Sequence, residues 1–584
     1  MGPFRTVKDF LFANRKNYLL GIFWVIFVDS LQLVIPKILG SFAEEFSLNQ
    51  LTTSRLLFYA LLFFGLGWMV AFSRYRWRMY IFGTARKLEY EMRNRIYQHL
   101  LKLSANYFSK HKTGDLMAHA TNDVFAVRYA LGSGLVMIVD PIFLIITTLI
   151  MMLYTSNLSL VFFSLLPLPI LAVVVLFFGK LIHKRFIAVQ DSFSQLTDFV
   201  QENLSGIRII KTFVQEKSGI EQFLSGNRDF FNKQMKLASI QSIYNPLIQF
   251  ISTLAFVIAL VYGGIQVVNG QITLGDYIAF NSYLGLLTWP IMAIGFVINI
   301  LQRGAASMER LNQIFLEAPD IVDVENPEAS LIRYGKIEFK GLTFTYPGAK
   351  QPTLHHIDLK VEEGQSLAIV GRTGSGKTTL VNLLLRVYDP PAGTVFIDGH
   401  DIRNLERTTI RDAIGYVPQD NFLFSTTITD NIALGVQEAN ERQVMEAARI
   451  AQVHDNIVEF PHGYDTMLGE QGVTLSGGQK QRVSIARAIL KNPRILIMDD
   501  SLSAVDTKTE DAILSGLKYI LSARTSIRIA HRISSIQDAD EIVVIDEGRI
   551  VERGNHDTLL QHGGIYAELY RMQQLEDKIA VNGD

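Results

Sequence analysis

The sequence predicts a multidomain chain, in which an all-α domain of six transmembrane helices precedes an α/β domain. Apolar segments of membrane-spanning length recur before about residue 310, and short β-rich runs alternate with helical stretches after about residue 336. The 584 residues exceed the usual size of one domain, and 37 phenylalanines are unusually many for a soluble chain. Part of the chain is therefore expected to have lipid as its solvent.

The overall composition argues against several classes of protein. The formal net charge is −1, so no surplus of basic residues indicates a nucleic-acid partner. The chain has no cysteine, which rules out disulfides, thiol catalysis and cysteine-bound metal. Its function is therefore to be sought in the membrane helices and in the motifs of the α/β half.

Six apolar segments are each long enough to cross a hydrocarbon core of about 30 Å. The connecting segments 81–130 and 181–239 are long and rich in lysine and arginine, whereas the opposite connections are short and nearly free of basic residues. By the positive-inside rule, the long loops, both termini and the α/β domain face the cytoplasm of a multi-pass cell-membrane protein. The predicted spans lie near 18–40, 56–80, 131–155, 158–180, 240–268 and 276–300.

The two long loops have the apolar periodicity of helices, so the membrane helices are expected to continue well into the cytoplasm. Interruptions at Gly114-Asp115 and at Ser205-Gly206 predict where the chain turns back. Residues 2–17 mix basic and apolar side chains and lack a cleavage site. They are expected to form an amphipathic helix at the inner membrane surface, and a disordered lead-in is the alternative.

Several charged residues fall inside or beside the predicted spans. Asp29 lies in the first and Asp140 in the third, and three arginines, at 74, 76 and 78, approach the cytoplasmic end of the second. A charge within a membrane normally faces a cavity or a partner. One interpretation is a polar substrate path that favours cations near the two acids. The other is pairing between helices for the acids and snorkelling for the arginines.

A phosphate-binding loop opens the α/β half. An apolar strand at 367–370 precedes the pattern G-x-x-x-x-G-K-[ST], and an apolar run at 380–385 follows it as a helix, which is the context that the motif requires. Backbone N–H groups of such a loop close around phosphate oxygens, the lysine reaches the terminal phosphates, and the hydroxyl ligates Mg²⁺. The predicted ATP-binding residues are Gly371, Arg372, Thr373, Gly374, Ser375, Gly376, Lys377, Thr378 and the following Thr379.

Two further segments point to nucleotide chemistry. The buried strand 495–498 ends in Asp499, a carboxylate placed to serve Mg²⁺ together with Thr378. Between it and the loop stands Leu475-Ser476-Gly477-Gly478-Gln479, where a serine and two glycines open a helix and so form a second anion-binding helix end. The chain thus has two segments suited to binding phosphate, of which only the loop 371–378 carries a lysine at the phosphate-binding position.

In this order, the motifs resemble those of an ABC transporter ATP-binding domain, and 475–479 matches the family signature without a mismatch. The resemblance implies ATP and Mg²⁺ as cofactors and assigns roles to further residues. These are Tyr346 for stacking on adenine, Gln419 for contact with Mg²⁺ and sensing of the membrane domain, Asp506 in the loop that communicates across the dimer, His531 for contact with the γ-phosphate, and 469–472 as the exporter-specific segment.

The resemblance extends over nearly the whole chain. A membrane half followed by an ATP-binding half is similar to a type I ABC exporter half-transporter, and in particular to the YheI-like subunit of bacterial heterodimeric multidrug exporters. Shared features include 113–118, 499–506 and 288–290, whose Trp289 joins Asp29 and Asp140 as a candidate for the substrate cavity. The expected divisions are a transmembrane domain 1–316, a linker 317–335, an ATP-binding cassette domain 336–575 and a tail 576–584.

One residue departs from the family pattern. Most members have Glu directly after the Mg²⁺-side Asp, as the base or water-positioner for hydrolysis, whereas this chain has Asp500. Its carboxylate is one methylene shorter, and a catalytic base has to reach hydrogen-bonding distance of its water. The alternative is a conservative exchange that still works after a small backbone shift. A weakened base beside an intact signature favours a heterodimer over a homodimer.

The combined expectation is ATP-driven efflux by alternating access, in a bacterial cell membrane. The partners implied are a second ABC half-transporter subunit, an amphipathic small-molecule substrate and the lipid bilayer. A lipid or peptide exporter is one alternative. An ATP-gated channel or a regulatory membrane protein that transports nothing actively is another.

Overall fold

The computed structural model describes residues 2–325, 327–328, 331–469, 475–502, 507–522, 524–530 and 532–582. The chain divides into two units that interleave along the sequence. Unit 1 comprises residues 1–101 and 113–317, and unit 2 comprises residues 102–112 and 318–584.

Unit 1 is all helical in its described residues, and six of its helical segments are long and apolar enough to cross a membrane. The prediction of six membrane helices is therefore confirmed. They run over Arg15–Ser47, Thr53–Leu100, Thr113–Thr155, Leu158–Ser205, Glu216–Val268 and Leu274–Leu316. The individual helices are α1 (Lys8–Ala13), α2 (Arg15–Ser47), α3 (Thr53–Leu100), α5 (Thr113–Ala118), α6 (Val124–Tyr129), α7 (Leu135–Thr155), α8 (Leu158–Leu165), α9 (Pro167–Ser205), α10 (Ile207–Thr212), α11 (Glu216–Val268) and α12 (Leu274–Leu316), and α4 (Ala105–Lys110) belongs to unit 2.

The turning points of the two long loops were predicted with mixed success. Helix α9 ends at Ser205 and α10 begins after Gly206, as expected. The prediction of a turn at Gly114-Asp115 was wrong, because both residues lie inside α5 and the chain turns between Leu100 and Thr113. Asp115 lies in the first turn of α5, where a carboxylate interacts favourably with the helix dipole and so supports the helix start.

Helices α2 and α12 pack closely at their shared end. A Cβ atom on Gly40 would lie 2.4 Å from the Gly275 carbonyl oxygen, so only glycine permits this approach. One turn earlier on α2, the Lys37 ammonium contacts the Asp276 carboxylate at 2.9 Å. The apolar interior of this part of unit 1 includes Phe280 and Tyr283, both fully buried.

Unit 2 is an α/β unit with two sheets. The four-stranded sheet has the order β2-β1-β4-β5, and the six-stranded sheet has the order β10-β9-β3-β8-β7-β6, whose interior pairs are parallel. The strands are β1 (Ile337–Phe344), β2 (Leu354–Val361), β3 (Ser366–Val370), β4 (Val395–Ile397), β5 (His400–Asp401), β6 (Ile414–Val417), β7 (Ile495–Asp499), β8 (Thr525–Ile529), β9 (Glu541–Asp546) and β10 (Arg549–Gly554).

Helices cover the six-stranded sheet, and the interior strands β7 and β8 are buried along their whole length because both faces of the sheet are covered. The helices are α13 (Lys377–Leu384), α14 (Arg407–Ala413), α15 (Ile428–Ala433), α16 (Glu441–Ile450), α17 (His454–Val458), α18 (Gly477–Leu490), α19 (Thr507–Ser522), α20 (His556–His562) and α21 (Ile565–Asn582). The predicted fold class, an all-α membrane domain followed by an α/β domain, is confirmed.

Residues 102–112 of the first long loop pack with unit 2. Ser104 and Asn106 donate side-chain hydrogen bonds of 2.8 and 2.9 Å to the Asp320 carboxylate. These bonds, Asn106 foremost, hold the pKa of Asp320 below its ordinary value. Phe344 and Tyr388 line a small cavity of about 630 Å³ beside the three polar residues. A short piece of the membrane half of the sequence thus completes the α/β unit.

Candidate functional site

A cavity of about 570 Å³ lies at the carboxyl ends of β3 and β7. In an open α/β sheet, ligands bind outside the carboxyl ends of the strands. The cavity brings together residues that are far apart in the sequence and that the motifs had singled out independently. Its lining is Thr353, Thr373, Gly374, Ser375, Gly376, Lys377, Thr378, Thr379, Gln419, Asp499, Asp500 and Ile529.

The loop between β3 and α13 has the backbone of a phosphate cradle. Gly371 and Gly376 have φ angles of +152° and +103°, and Gly376 is the N-cap of α13. A Cβ on Gly371 would lie 2.0 Å from the Ile545 carbonyl oxygen, so a larger residue there would displace the loop. The buried Ser375 hydroxyl has no hydrogen-bond partner among the described residues. The loop therefore offers polar groups that an anion would satisfy.

Lys377 lies at the start of α13 and folds back over the loop. Its ammonium donates to the carbonyl oxygens of Gly371 and Arg372, at 2.8 and 2.9 Å. Burial lowers the pKa of Lys377, and the nearby carboxylates of Asp499 and Asp500 oppose that shift. A buried cation that donates its hydrogen bonds to neutral carbonyls is well placed to exchange them for phosphate oxygens.

Asp499 ends β7 and is only 1% exposed. The Tyr416 hydroxyl, on the neighbouring strand β6, makes a side-chain hydrogen bond with it. Burial first, and then the Asp499 carboxylate, raise the pKa of Tyr416 above its ordinary value. Thr378 and Gln419 line the same cavity, so three oxygen-bearing side chains converge there. Such oxygens are the ligands that Mg²⁺ prefers.

Asp500 has a left-handed backbone, with φ of +46°. Its N–H donates to the Ile529 carbonyl oxygen at 2.8 Å, and its own carbonyl accepts from the Gln481 side chain at 3.3 Å. Asp tolerates the left-handed region better than longer side chains do. The backbone at this position is therefore held from both sides, on β8 and on α18.

The segment Leu475–Gln479 caps α18. The Gln479 N–H donates to the Ser476 hydroxyl at 3.3 Å, and the Ser476 N–H donates to the Gln479 side chain at 2.9 Å, which is a capping box. Leu475 is buried, whereas Ser476 and Gly477 are exposed, and Gly478 lies in the first turn. None of the five lines the phosphate cavity described above. The helix end is thus presented to the surface of unit 2.

Comparisons with known proteins agree with this geometry. Residues 18–291 match the family model for the ABC transporter transmembrane region, and residues 354–503 match the model for the ABC transporter. The chain is 40% identical, over 97% of both chains, to "Probable multidrug resistance ABC transporter ATP-binding/permease protein YheI" of Bacillus subtilis.

This chain is an ABC transporter. The ABC transporter is also 39% identical to "Multidrug resistance-like ATP-binding protein MdlA" of Escherichia coli, over 99% of this chain and 97% of the relative. A solved structure titled "Structure of a bacterial Atm1-family ABC exporter with ATP bound" has a TM-score of 0.76 and 29% identity, covering 96% of this chain and 98% of that one. The predicted resemblance to a type I half-transporter of the YheI kind is confirmed. The transporter is a multi-pass, ATP-hydrolysing membrane protein.

The residues at the cavity fit both ATP and Mg²⁺. The unpartnered Ser375 hydroxyl and the glycine-dependent loop suit a polyphosphate, and the oxygens of Thr378, Gln419 and Asp499 suit a hard divalent cation. The ABC transporter therefore binds ATP in unit 2, and its phosphate loop lies within the residues that match the ABC transporter model.

Other predicted ATP-site residues lie around the cavity or outside the described chain. The Tyr346 ring packs edge-on against Phe344 and Tyr388, with centroids 5.1 and 5.0 Å apart, and its hydroxyl lies 2.9 Å from the Thr379 hydroxyl. Exposed Arg372 has its guanidinium 3.8 Å from the Glu568 carboxylate. The predicted residues Asp506 and His531, and 470–472 of the exporter segment, lie outside the described residues.

Two residues at the site escaped the sequence analysis. Tyr416 belongs to a strand and carries no motif of its own, and only the pairing of β6 with β7 brings it to Asp499. Gln481 stands two residues after the signature, and a search for polar residues on the first turns of that helix would have found it. Its contact with the Asp500 carbonyl links the signature helix to the position predicted for the catalytic base.

In unit 1, Asp29 and Asp140 come together. Their carboxyls lie close enough to interact, and Arg74 lies close enough to interact with both. Asp29 is 1% exposed. Trp289 is half-exposed on α12. The two acids therefore meet across α2 and α7, as the pairing interpretation expects.

A separate large cavity, of about 760 Å³, lies between α9, α11 and α12. Its walls are mostly apolar, and Lys180, His183 and Asn245 are among the polar side chains that line it. Asp29, Asp140 and Trp289 are not part of this lining. The volume is sufficient for a drug-sized molecule, for which pockets of about 300–1,000 Å³ are usual.

Proposed function

We propose that this transporter is one subunit of a heterodimeric exporter of amphipathic, drug-like small molecules, with one degenerate ATP site. The observation that carries the proposal is Asp500. It lines the phosphate cavity beside Asp499, at the position where the family has Glu, and its carboxylate is one methylene shorter. The multidrug names of two relatives with near-complete coverage support the substrate class.

The partner follows from how the family shares its sites. In the family pattern, each ATP lies between the phosphate loop of one subunit and the signature of the other. The exposed end of α18, away from this chain's own phosphate cavity, suits contact with the ATP of a second subunit. A homodimer would place Asp500 in both sites, whereas a heterodimer whose partner has Glu would keep one efficient site.

The roles at the site are proposed as follows. The loop N–H groups and Lys377 hold the phosphates, and Tyr346 stacks on the adenine. Thr378, Gln419 and Asp499 hold Mg²⁺, which when bound neutralises negative charge on the phosphates. Asp500 orients the attacking water weakly because of its short reach. His531 contacts the γ-phosphate, and Asp506 communicates with the partner.

Closure of the two ATP-binding units is proposed to drive the membrane helices from an inward-open to an outward-open state. The apolar cavity between α9, α11 and α12 supports an amphipathic substrate. Asp29, Asp140 and Trp289 are proposed to lie along the substrate path outside this cavity, where the two acids hold α2 and α7 together and do not select for cations. The proposal includes cytoplasmic termini, as the basic loops indicate, and the functional division 1–316, 317–335, 336–575 and 576–584.

Reconstitution with and without the partner tests the function. Partners that co-purify with the full chain are identified, and the pair and the chain alone are placed in proteoliposomes. The pair should accumulate a cationic amphipathic dye against its gradient with ATP, and the chain alone should show at least tenfold slower ATPase. Single-channel currents without uphill transport would favour the gated channel. Lipid movement without dye transport would favour a lipid exporter, for which one relative, "ATP-dependent lipid A-core flippase", 38% identical over 84% of this chain, is a precedent.

A further inference from the structure

A basic pocket lies between the first two membrane helices, α2 and α3, and has a volume of about 720 Å³. We propose that this pocket binds the phosphate headgroup of an anionic phospholipid from the surrounding bilayer. It is separate from the ATP site and from the large cavity described above. Its lining is Asn17, Tyr75, Arg76, Met79, Tyr80, Gly83, Thr84 and Lys87.

The pocket opens where the predicted spans 18–40 and 56–80 reach one membrane surface, since Asn17 precedes the first span and Lys87 follows the second. The apolar run of α3 extends from Leu56 to Phe72 and ends four residues before Arg76, and Asn17 directly precedes the apolar run of α2. Trp24 and Trp77 lie near this level, as aromatic residues do at a membrane surface. The assignment to the inner leaflet rests on the proposed topology, in which this end is cytoplasmic.

The Arg76 guanidinium is held in place by contacts but still has a hydrogen-bond donor without a partner among the described residues. Its Nη2 donates to the Tyr80 hydroxyl at 2.8 Å, and its guanidinium lies 5.9 Å and 5.1 Å from the ring centroids of Trp24 and Tyr80. Its Nε is buried and has no hydrogen-bond partner among the described residues. The contacts orient the planar group, and the remaining donors suit a phosphate oxygen.

Lys87 provides a second cation at the far end of the pocket. It follows Arg76 by eleven residues, or about 16 Å along the helix axis. Helical side chains lean toward the N-terminus of their helix, so the long Lys87 side chain is directed back toward the membrane. Nearby Glu89 pairs with Arg86, Arg93 and Arg128 instead.

The charge balance of the pocket selects an anion. Two cationic side chains line it, and among its described lining residues none is acidic. Asn17 and Tyr75 add an amide and a hydroxyl that suit the polar part of a headgroup, whereas the Thr84 hydroxyl donates to the Tyr80 carbonyl oxygen at 2.6 Å. Basic pockets between membrane helices on the cytoplasmic side are a recurrent way of binding anionic lipid headgroups.

The test measures lipid binding by native mass spectrometry of the delipidated full-length transporter. Phosphatidylglycerol and phosphatidylcholine are titrated separately, without ATP. The double variant Arg76→Gln/Lys87→Gln should weaken phosphatidylglycerol binding about 30-fold, because each basic side chain near a membrane surface contributes about a factor of five. Phosphatidylcholine binding should be unchanged.

The matched control is Arg78→Gln/Lys184→Gln, which removes the same charge from exposed positions outside the pocket. A change below threefold in this control supports the site, whereas equal weakening in both variants would overturn it in favour of general surface electrostatics. Unchanged binding in the pocket variant would also overturn it. Should the double variant fail to fold, Lys87→Gln alone, at an exposed position, should still weaken binding about fivefold.

Two further measurements distinguish a lipid headgroup from a soluble phosphate, and the inner leaflet from the outer one. Competition by millimolar glycerol 3-phosphate or inorganic phosphate would show a soluble-phosphate site and overturn the lipid assignment. The chain has no native cysteine, so single cysteines at Asn17 and Lys87 report their sidedness directly in intact cells. If lipid binds but the two cysteines are labelled from the outside of the cell, the inner-leaflet assignment is refuted. Dye export by the pair tests the proposed function separately.

Discussion

Replacing Asp500 by Glu should restore part of the hydrolytic activity of the ATP site to which this chain supplies the phosphate loop. The substitution adds one carbon–carbon bond, about 1.5 Å of reach, toward a water that a catalytic base contacts at about 2.6–3.2 Å. Proper placement of a base is typically a factor of about 10²–10⁴ in rate. The signature opposite this site belongs to the partner, so we expect partial recovery, of at least about tenfold.

The backbone sets the cost of this substitution. Asp500 has φ of +46°, and both of its peptide groups are hydrogen-bonded, so the left-handed conformation will persist in the variant. A left-handed residue costs roughly 1–2 kcal/mol, less for Asp than for Glu. A loss of about 1 kcal/mol corresponds to a drop in melting temperature of about 2–4 °C for a domain of this size.

The assay uses a heterodimer in which the partner's catalytic Glu has been changed to Gln, which silences the other site. ATPase is compared among Asp500, Asp500→Glu and Asp500→Asn. Asn tolerates the left-handed backbone but cannot act as a base, so it gives the floor of the assay. High activity already present with Asp500 would refute the degenerate-site reasoning. Equal activity of the Glu and Asn variants would place the defect in the partner.

Three further outcomes are expected in the paired complex. Ser476→Ala should slow steady-state ATPase more than Lys377→Ala, since the signature serves the efficient site and Lys377 the weak one; the reverse order would contradict the assignment. Tyr416→Phe removes the hydroxyl bonded to Asp499; because Asp499 belongs to the weak site, the effect is measured in the Asp500→Glu complex with the partner's site silenced, where ATPase should fall by about tenfold or more, as a hydrogen bond to a charged group contributes about 1.5–3 kcal/mol. Asp29→Leu should lower expression and melting temperature by leaving Asp140 unpaired, with no selective loss of cation efflux. A well-expressed variant that has lost only the efflux of cationic substrates would show a substrate role instead.

The parts of the site that lie within one stretch of sequence could be predicted. The loop from Gly371 to Thr378 carries its own strand, glycines and helix, so its geometry follows from local chemistry. The six membrane helices likewise follow from the length of their apolar runs. Family resemblance then supplied roles for residues such as Tyr346, which no local pattern would have singled out.

Contacts between distant segments could not be predicted. Asp29 and Asp140 are on different helices, and the sequence around each does not indicate which helix it contacts. Tyr416 reaches Asp499 only because β6 and β7 are adjacent in the sheet. The turn predicted at Gly114-Asp115 was wrong because a glycine and an acid near a helix start resemble a loop in composition, while the dipole of α5 stabilises the acid there.

The membership of residues 102–112 in unit 2 has a consequence for biosynthesis. This segment leaves the ribosome about 200 residues before Ala318, where the rest of the unit begins. At about 5–20 residues per second, it waits roughly 10–40 s for the partner of Ser104 and Asn106 to be synthesised. Completion of the α/β unit is therefore a late folding step, which follows insertion of the membrane helices. A gene fragment beginning at Ala318 would encode an incomplete fold, with Asp320 lacking both of its donors and the cavity at Phe344 and Tyr388 open to solvent.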